Sequence, residues 1–271
     1  VDPPVSETTC WRCGGAFAST ESVCPRCGAP FFQQTERSDI QRPPDLSASL
    51  PVTRLLIAYG LLLGTSVVQG MTDSRSFLDP TAPDAHDVWR RIAIFEAFDT
   101  LLVFWAWWWL PRVELAEPVS SKRRLTGWLL ALPMLAAAVA INYGYHAVIR
   151  SVTHSPLTHD VIDSSPELWQ YWLLVICIQP ALIEELFFRG LAYRTLLPLF
   201  QTHLTVLVTA VMFGLAHIHA PLSMPVLMML GVVLGYARAM TGSLWLPIVL
   251  HFLHNLVVTG MGWYSWMNPP A

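Results

Sequence analysis

The sequence predicts an all-α multipass membrane protein of about seven transmembrane helices, preceded by a small zinc-ribbon module. Three observations carry this. The 271 residues are 54% hydrophobic and only 13% charged, against roughly 25% charged in soluble domains. Mean hydropathy is +0.45. Apolar stretches near the ~20 residues needed to cross a bilayer recur from Pro51 onward, covering approximately 52–71, 92–110, 127–149, 169–190, 203–217, 222–240 and 244–263. The fifth is short. A net charge of −3 and the lack of a basic, aromatic-rich stripe argue against a nucleic-acid partner.

Residues 1–31 read as one unit. Cys10-Trp11-Arg12-Cys13 and Cys24-Pro25-Arg26-Cys27 are two CxxC knuckles, each followed by Gly. Four thiolates so spaced suit a tetrahedral structural zinc; two disulfides in an exported segment are the alternative. A zinc ribbon implies a reducing compartment. Residues 32–50, with Gln33-Gln34, Pro43-Pro44 and interspersed Ser, Arg and Asp, read as a flexible linker. The first fifty residues are polar, so no cleavable signal peptide is expected among them. Residues 51–271 form the transmembrane domain. Arg112, Lys122, Arg123 and Arg124 crowd the connection after the second span, whereas acidic residues dominate 72–89 and 151–168. By the positive-inside rule the 111–126 loop and the N-terminus are cytosolic. The Trp105, Trp107, Trp108, Trp109 cluster then fits an aromatic belt at that face. Cys177, in an apolar helix, reads as a buried small residue.

The later spans carry polar insertions. Glu184, Glu185 and Arg189 lie in the fourth, His217 ends the fifth, and His251, His254 and Asn255 lie in the seventh. Each charge near a bilayer centre costs roughly 2.5–3.5 kcal/mol even on a lenient scale, so such residues mark a site. Glu185 and Arg189, spaced i,i+4, can form an ion pair. Glu184 is rotated by about 100° and is left free for acid–base chemistry. His251 and Asn255, also i,i+4, present two donors able to hold an oxyanion. His254 lies one turn from His251 as well, and spacing alone does not decide between them. Polar clamps between helices are the non-catalytic alternative. Straight spans would put Glu184 in the cytosolic half of its helix and His217 at the far end of the next. Broken or tilted helices around a water-filled cavity would be needed to bring them together.

Glu184-Glu185-x-x-x-Arg189, Phe213-x-x-x-His217 and His251-x-x-x-Asn255, with Phe188-Arg189-Gly190, Phe213-Gly214-Leu215-Ala216-His217 and Gly235-Tyr236, resemble the signature motifs of the CPBP family. That family comprises type II CAAX prenyl endopeptidases and bacterial bacteriocin-processing and self-immunity proteins. The likeness covers about 165–260. It implies an intramembrane endopeptidase of a bacterial inner (plasma) membrane. Glu184 and His217 would activate a water, and His251 and Asn255 would stabilise the oxyanion. Glu185 and Arg189 make the structural pair. The family has also been described as metalloproteases. Asn255 makes sense as a donor and little sense as a ligand, so an active-site metal is expected to be absent and the one expected cofactor is zinc on Cys10, Cys13, Cys24 and Cys27. Expected partners are a peptide or membrane-protein substrate, membrane lipid, and a protein docking through the ribbon. A non-catalytic membrane scaffold or immunity-type binding protein is the rival reading. HExxH and GxGD are absent from the chain.

Overall fold

Eight helices account for most of the residues that the computed structural model describes, which are 7–9, 16–18, 24–26, 46–77, 85–111, 119–153 and 169–267. The chain divides into two compact units, Val1–Ser49 and Leu50–Ala271. In the first, β1 (Glu7–Thr9) pairs antiparallel with β2 (Ala16–Ala18), Thr8 opposite Phe17. Cys24 is buried. Cys10, Cys13 and Cys27, and with them the expected zinc site, lie outside the described residues. So does most of the expected linker; from Leu46, five residues before its expected end, the chain is already helical.

The helices are α1 (Leu46–Phe77), which belongs to the second unit from Leu50 onward, and, all within that unit, α2 (Ala85–Trp109), α3 (Ser121–Leu129), α4 (Ala131–Thr153), α5 (Trp169–Leu196), α6 (Thr202–Leu215), α7 (Met224–Thr241) and α8 (Trp245–Met267). Five are long and apolar enough to span a membrane: α1, α2, α4, α5 and α7. Two more, α6 and the Trp245–Gly260 part of α8, are apolar but shorter. Leu101, Leu132 and Val152 face outward at about 70% exposure, as a lipid-facing surface requires.

The third span does not begin at 127 as expected. Ser121–Leu129 is a separate helix, and the spanning helix starts at Ala131. Pro133 is the reason: it has no N–H for the Leu129 carbonyl, and its ring crowds that oxygen, so the turn breaks there while proline sits comfortably in the first turn of α4.

The core is built where α5, α6 and α7 meet α1 and α2. Phe187, Phe188, Phe213, Leu234 and Val103 are essentially inaccessible. Packing of α6 on α7 depends on small residues, because apolar side chains gain little by exchanging lipid for protein. A Cβ on Gly231 would come within 2.9 Å of the Ala210 Cα, and one on Gly235 within 2.8 Å of Val206. The α7–α8 turn needs Gly242, which caps α7 in the left-handed region at φ 67 and donates its N–H to Arg238 O.

Two irregularities position the site. The segment Gln179–Glu185 is a short α-helix between two π-helical stretches, Leu173–Ile178 and Leu186–Ala192. Single π-helical turns inside α-helices are rare and occur often at functional sites. In addition, α6 is only 14 residues long. From the α5–α6 turn, His217 is about 22 Å along α6 and Glu184 is about 18 Å back along α5, at ~1.5 Å per residue. The two therefore lie at similar depth. The expected mismatch came from ending the fourth span at 190: α5 runs on to Leu196, which sets Glu184 deeper, while α6 is short as expected.

Candidate active site

Glu184 and Glu185 are neighbours in sequence and opposites in surroundings. On the Glu185 side, Arg189 Nη1 donates to Glu185 Oε1 at 2.8 Å, and both side chains are 0% exposed. Arg189 Nη2 donates to the Gly231 carbonyl at 2.9 Å, and its guanidinium lies over the Phe213 ring, 4.8 Å from the centroid. His251 Nδ1 approaches the same carboxylate oxygen at 3.0 Å. This is a dry clamp joining α5, α7 and α8.

On the Glu184 side the carboxylate is 22% exposed. Its Oε1 lies 3.6 Å from His217 Nε2 and its Oε2 lies 4.0 Å from His251 Nε2. Oε2 is buried and has no hydrogen-bond partner. His217 hangs on the turn after α6, where His217 N bonds to Gly214 O at 3.1 Å, and its Nδ1 faces the Phe213 carbonyl at 2.9 Å. A carbonyl only accepts, so the His217 Nδ1 carries hydrogen. The Glu185 oxygen, already holding Arg189, likewise only accepts, so the His251 Nδ1 carries hydrogen too. In the neutral rings both Nε2 lone pairs then point towards Glu184. A proton on His217 makes its 3.6 Å approach to Glu184 an ion pair; with both rings neutral, the three groups converge as acceptors instead.

That arrangement calls for something with protons or positive charge in the middle. A water donating linear hydrogen bonds of about 2.7–3.2 Å sets its two acceptors about 4.3–5 Å apart, so the 3.6 and 4.0 Å separations take one with bent bonds or a slight opening. A tetrahedral zinc with bonds of roughly 2.0–2.2 Å sets its ligands nearer 3.3 Å apart. Glu184, His217 and His251 have the right chemistry for zinc, and would need to close by a few tenths of an ångström. As they stand, no group of three His, Cys, Asp or Glu among the described residues has metal-holding geometry.

Asn255 is placed differently from His251. Its Nδ2 donates to the Ile176 carbonyl at 3.0 Å, and its Oδ1 pairs with His254 Nδ1 at 3.2 Å. Pro180 explains the first bond. It has no N–H to give the carbonyl four residues earlier, which is Ile176, and the Asn255 amide supplies the missing donor. His254, 3% exposed, has its Nε2 3.5 Å from Asn142 Nδ2. The chain Asn142, His254, Asn255, Ile176 thus ties α4 and α8 to the first π-helical stretch. One Asn255 N–H remains for other work.

Sequence reasoning passed over Glu96 and Asp99 on α2. Thr65 donates to Asp99 Oδ1 at 2.8 Å, and Gln179 Nε2 donates to the Glu96 carbonyl at 3.0 Å and to Thr100 Oγ1 at 2.9 Å. Both carboxylates lie within electrostatic reach of Glu184 and His217. The signal was available: two carboxylates in a spanning helix are as costly as those in α5. His219, whose Nδ1 lies 2.9 Å from Ser66 Oγ, anchors the turn that carries His217.

Residues 166–257 match the family model described as Type II CAAX prenyl endopeptidase Rce1-like. The chain carries an Rce1-like domain. The match covers about a third of the chain and includes Glu184, Glu185, Arg189, His217, His251 and Asn255. The cysteine-bearing unit lies outside the Rce1-like domain, as do α1, α2 and α4. No curated protein and no solved structure matches the chain. An Rce1-like domain in a multipass helical chain supports a membrane endopeptidase in general.

Proposed function

We propose that the protein is a glutamate-dependent intramembrane endopeptidase that hydrolyses a peptide bond of a membrane-presented polypeptide. The carrying observation is the Glu184 carboxylate, whose Oε2 has no hydrogen-bond partner, facing two imidazole Nε2 atoms at 3.6 and 4.0 Å. A water there donates one hydrogen to Glu184 and one to His217. As its oxygen bonds to the scissile carbonyl carbon, its proton passes to Glu184. The C–N bond then breaks, and Glu184 returns the proton to the leaving amine. His251 is the first candidate donor to the oxyanion that forms. The free Asn255 N–H is the second candidate donor. Zinc held by Glu184, His217 and His251 is the second reading, favoured by the three converging acceptors; such an ion would supply an activated hydroxide.

The topology that goes with this reading is N-terminus inside, with the basic connection containing α3 in the cytosol. Polar cysteine-bearing residues and linker are proposed to serve recruitment, with zinc held by the four cysteines. The enzyme reading is tested by comparing peptides released from membranes containing the protein with those from membranes containing Glu184→Gln. Cleavage products should be lost in the variant while its abundance and melting temperature hold. Identical products from both would leave a non-catalytic binding protein.

A further inference from the structure

Away from the carboxylates, the C-terminus of α5, the start of α6, the end of α7 and helix α3 meet at one end of the bundle. They enclose an open groove of about 550 Å³ whose lining includes Arg123, Phe200, Thr202, His203 and Tyr236. His203 Nδ1 and Tyr236 OH are 2.8 Å apart, which fixes that wall.

Positive charge collects here. The charges of Arg123 and Arg238 both reach Tyr193. Arg194 and Arg238 are near enough to repel one another. Arg238 is only 5% exposed, and its Nε donates to the Arg189 carbonyl at 3.2 Å. Arg194 Nε is buried without a partner. Among the described residues no carboxylate lies within ion-pair distance of Arg123, Arg194 or Arg238. Arg238 is a buried cation without a counter-charge, which is costly, so an anion at this end of the bundle would be stabilising.

The setting says which anion. Helix α3 sits between two helices of spanning length, α2 and α4, and is amphipathic in the manner of an interfacial helix. Lys122, Arg123 and Arg124 are exposed, and so are Leu125 at 60% and Leu129 at 70%. Gly127 holds α3 down: a Cβ there would come within 2.7 Å of Thr241. With α3 at the interface the groove would open at headgroup depth, with Arg123 in its lining, Arg194 and Arg238 behind it, and exposed Leu125 and Leu129 on the same helix as Arg123 for acyl chains. A soluble anion would have no use for the apolar edge.

We propose that this groove binds the phosphate of an anionic phospholipid, with Arg123 as the direct contact and Arg194 and Arg238 supplying the field behind it. The proposal concerns binding, and stands whether or not the carboxylate site hydrolyses peptides. The test uses the full chain purified in neutral detergent. Native mass spectrometry would count phosphatidylglycerol and phosphatidylcholine retained from equimolar mixtures. Wild-type protein should retain phosphatidylglycerol preferentially. Arg123→Glu should lower that preference by at least about fivefold, the effect of one juxtamembrane charge at about 1 kcal/mol. Arg124→Glu, on the same exposed helix but outside the groove lining, should lower it less, and inorganic phosphate should not displace the lipid. Equal retention of the two lipids, or equal losses in the two variants, would mean diffuse surface charge and overturn the site. Displacement by inorganic phosphate would assign the groove to a free anion and remove the lipid.

Discussion

Glu184 and Glu185 occupy adjacent positions on one helix, yet one belongs to a partly exposed triangle and the other to a sealed clamp. Rotation by about 100° per residue sends them to different neighbours. Glu185 meets Arg189, His251 and, through the arginine, the α7 backbone at Gly231. Glu184 meets only imidazole nitrogens that have no hydrogen to offer in the neutral state. A membrane helix can thus use one charged pair to hold its shape, leaving the neighbouring carboxylate available for chemistry. The tautomers link the two regions: because Glu185 takes the His251 Nδ1 hydrogen, the same ring turns its lone pair towards Glu184.

If the triangle is catalytic, the largest effect comes from inside it. Glu184→Gln and His217→Ala should each lower turnover by about 10²–10⁴-fold, the usual worth of a positioned acid–base group, with the detergent melting temperature unchanged. Turnover would be measured on a purified membrane-protein substrate by gel or mass spectrometry. If the clamp is structural, Glu185→Ala leaves Arg189 buried without its carboxylate and should destabilise by about 3–5 kcal/mol, seen as a large drop in melting temperature. A stable, inactive Glu185→Ala would move that residue from the clamp to the triangle.

Asn255 sharpens the boundary between the two. As a clamp, it satisfies the carbonyl that Pro180 leaves open, and Asn255→Ala should cost about 1–3 kcal/mol of stability. As an oxyanion donor, it would instead leave stability intact and cost about 10²–10³-fold in turnover. Thermal melts and turnover on one preparation distinguish these, and the geometry predicts a measurable share of the first.

Topology yields a smaller, qualitative effect. Residues Ser120 and Val152, both exposed, should sit on opposite sides of the membrane. In intact cells an impermeant thiol reagent should label Val152→Cys above background and leave Ser120→Cys unlabelled. The reverse pattern would invert the proposed orientation. The smallest effect is expected from the cysteine-bearing segment: a chain beginning at Leu46 should keep its turnover, and loss of turnover in a folded truncation would tie that segment to the site.

Much of the membrane domain was legible because burial in lipid is a composition problem. Long apolar runs give spans, and charges inside them stand out by their cost. The i,i+4 spacing of Glu185 and Arg189 is likewise a local fact. What was not legible depended on contacts between distant segments. Nothing near Asn255 indicates that Pro180 has opened a carbonyl across the bundle for it to fill. The π-helical stretches on either side of Gln179–Glu185 carry no periodicity signal of their own. The short span ending near His217 was legible, whereas the run of α5 beyond residue 190 to Leu196, which sets Glu184 deeper, was not. Glu96 and Asp99 were legible and overlooked, because they lacked a motif to draw attention to them.

The central claim is that Glu184 alone of the two carboxylates handles the proton. The most direct measurement sets Glu184→Gln beside Glu185→Gln, reading turnover and melting temperature for both, on protein lacking the first 45 residues so that metal content can be assayed without the cysteines. Glu184→Gln should melt like the parent and lack turnover, Glu185→Gln should melt lower, and turnover of the parent should survive chelation. A parent holding one zinc that is lost in His217→Ala and His251→Ala, with turnover abolished by chelation and restored by zinc, would contradict the bare-water account. A Glu184→Gln that still cleaves would contradict the claim altogether.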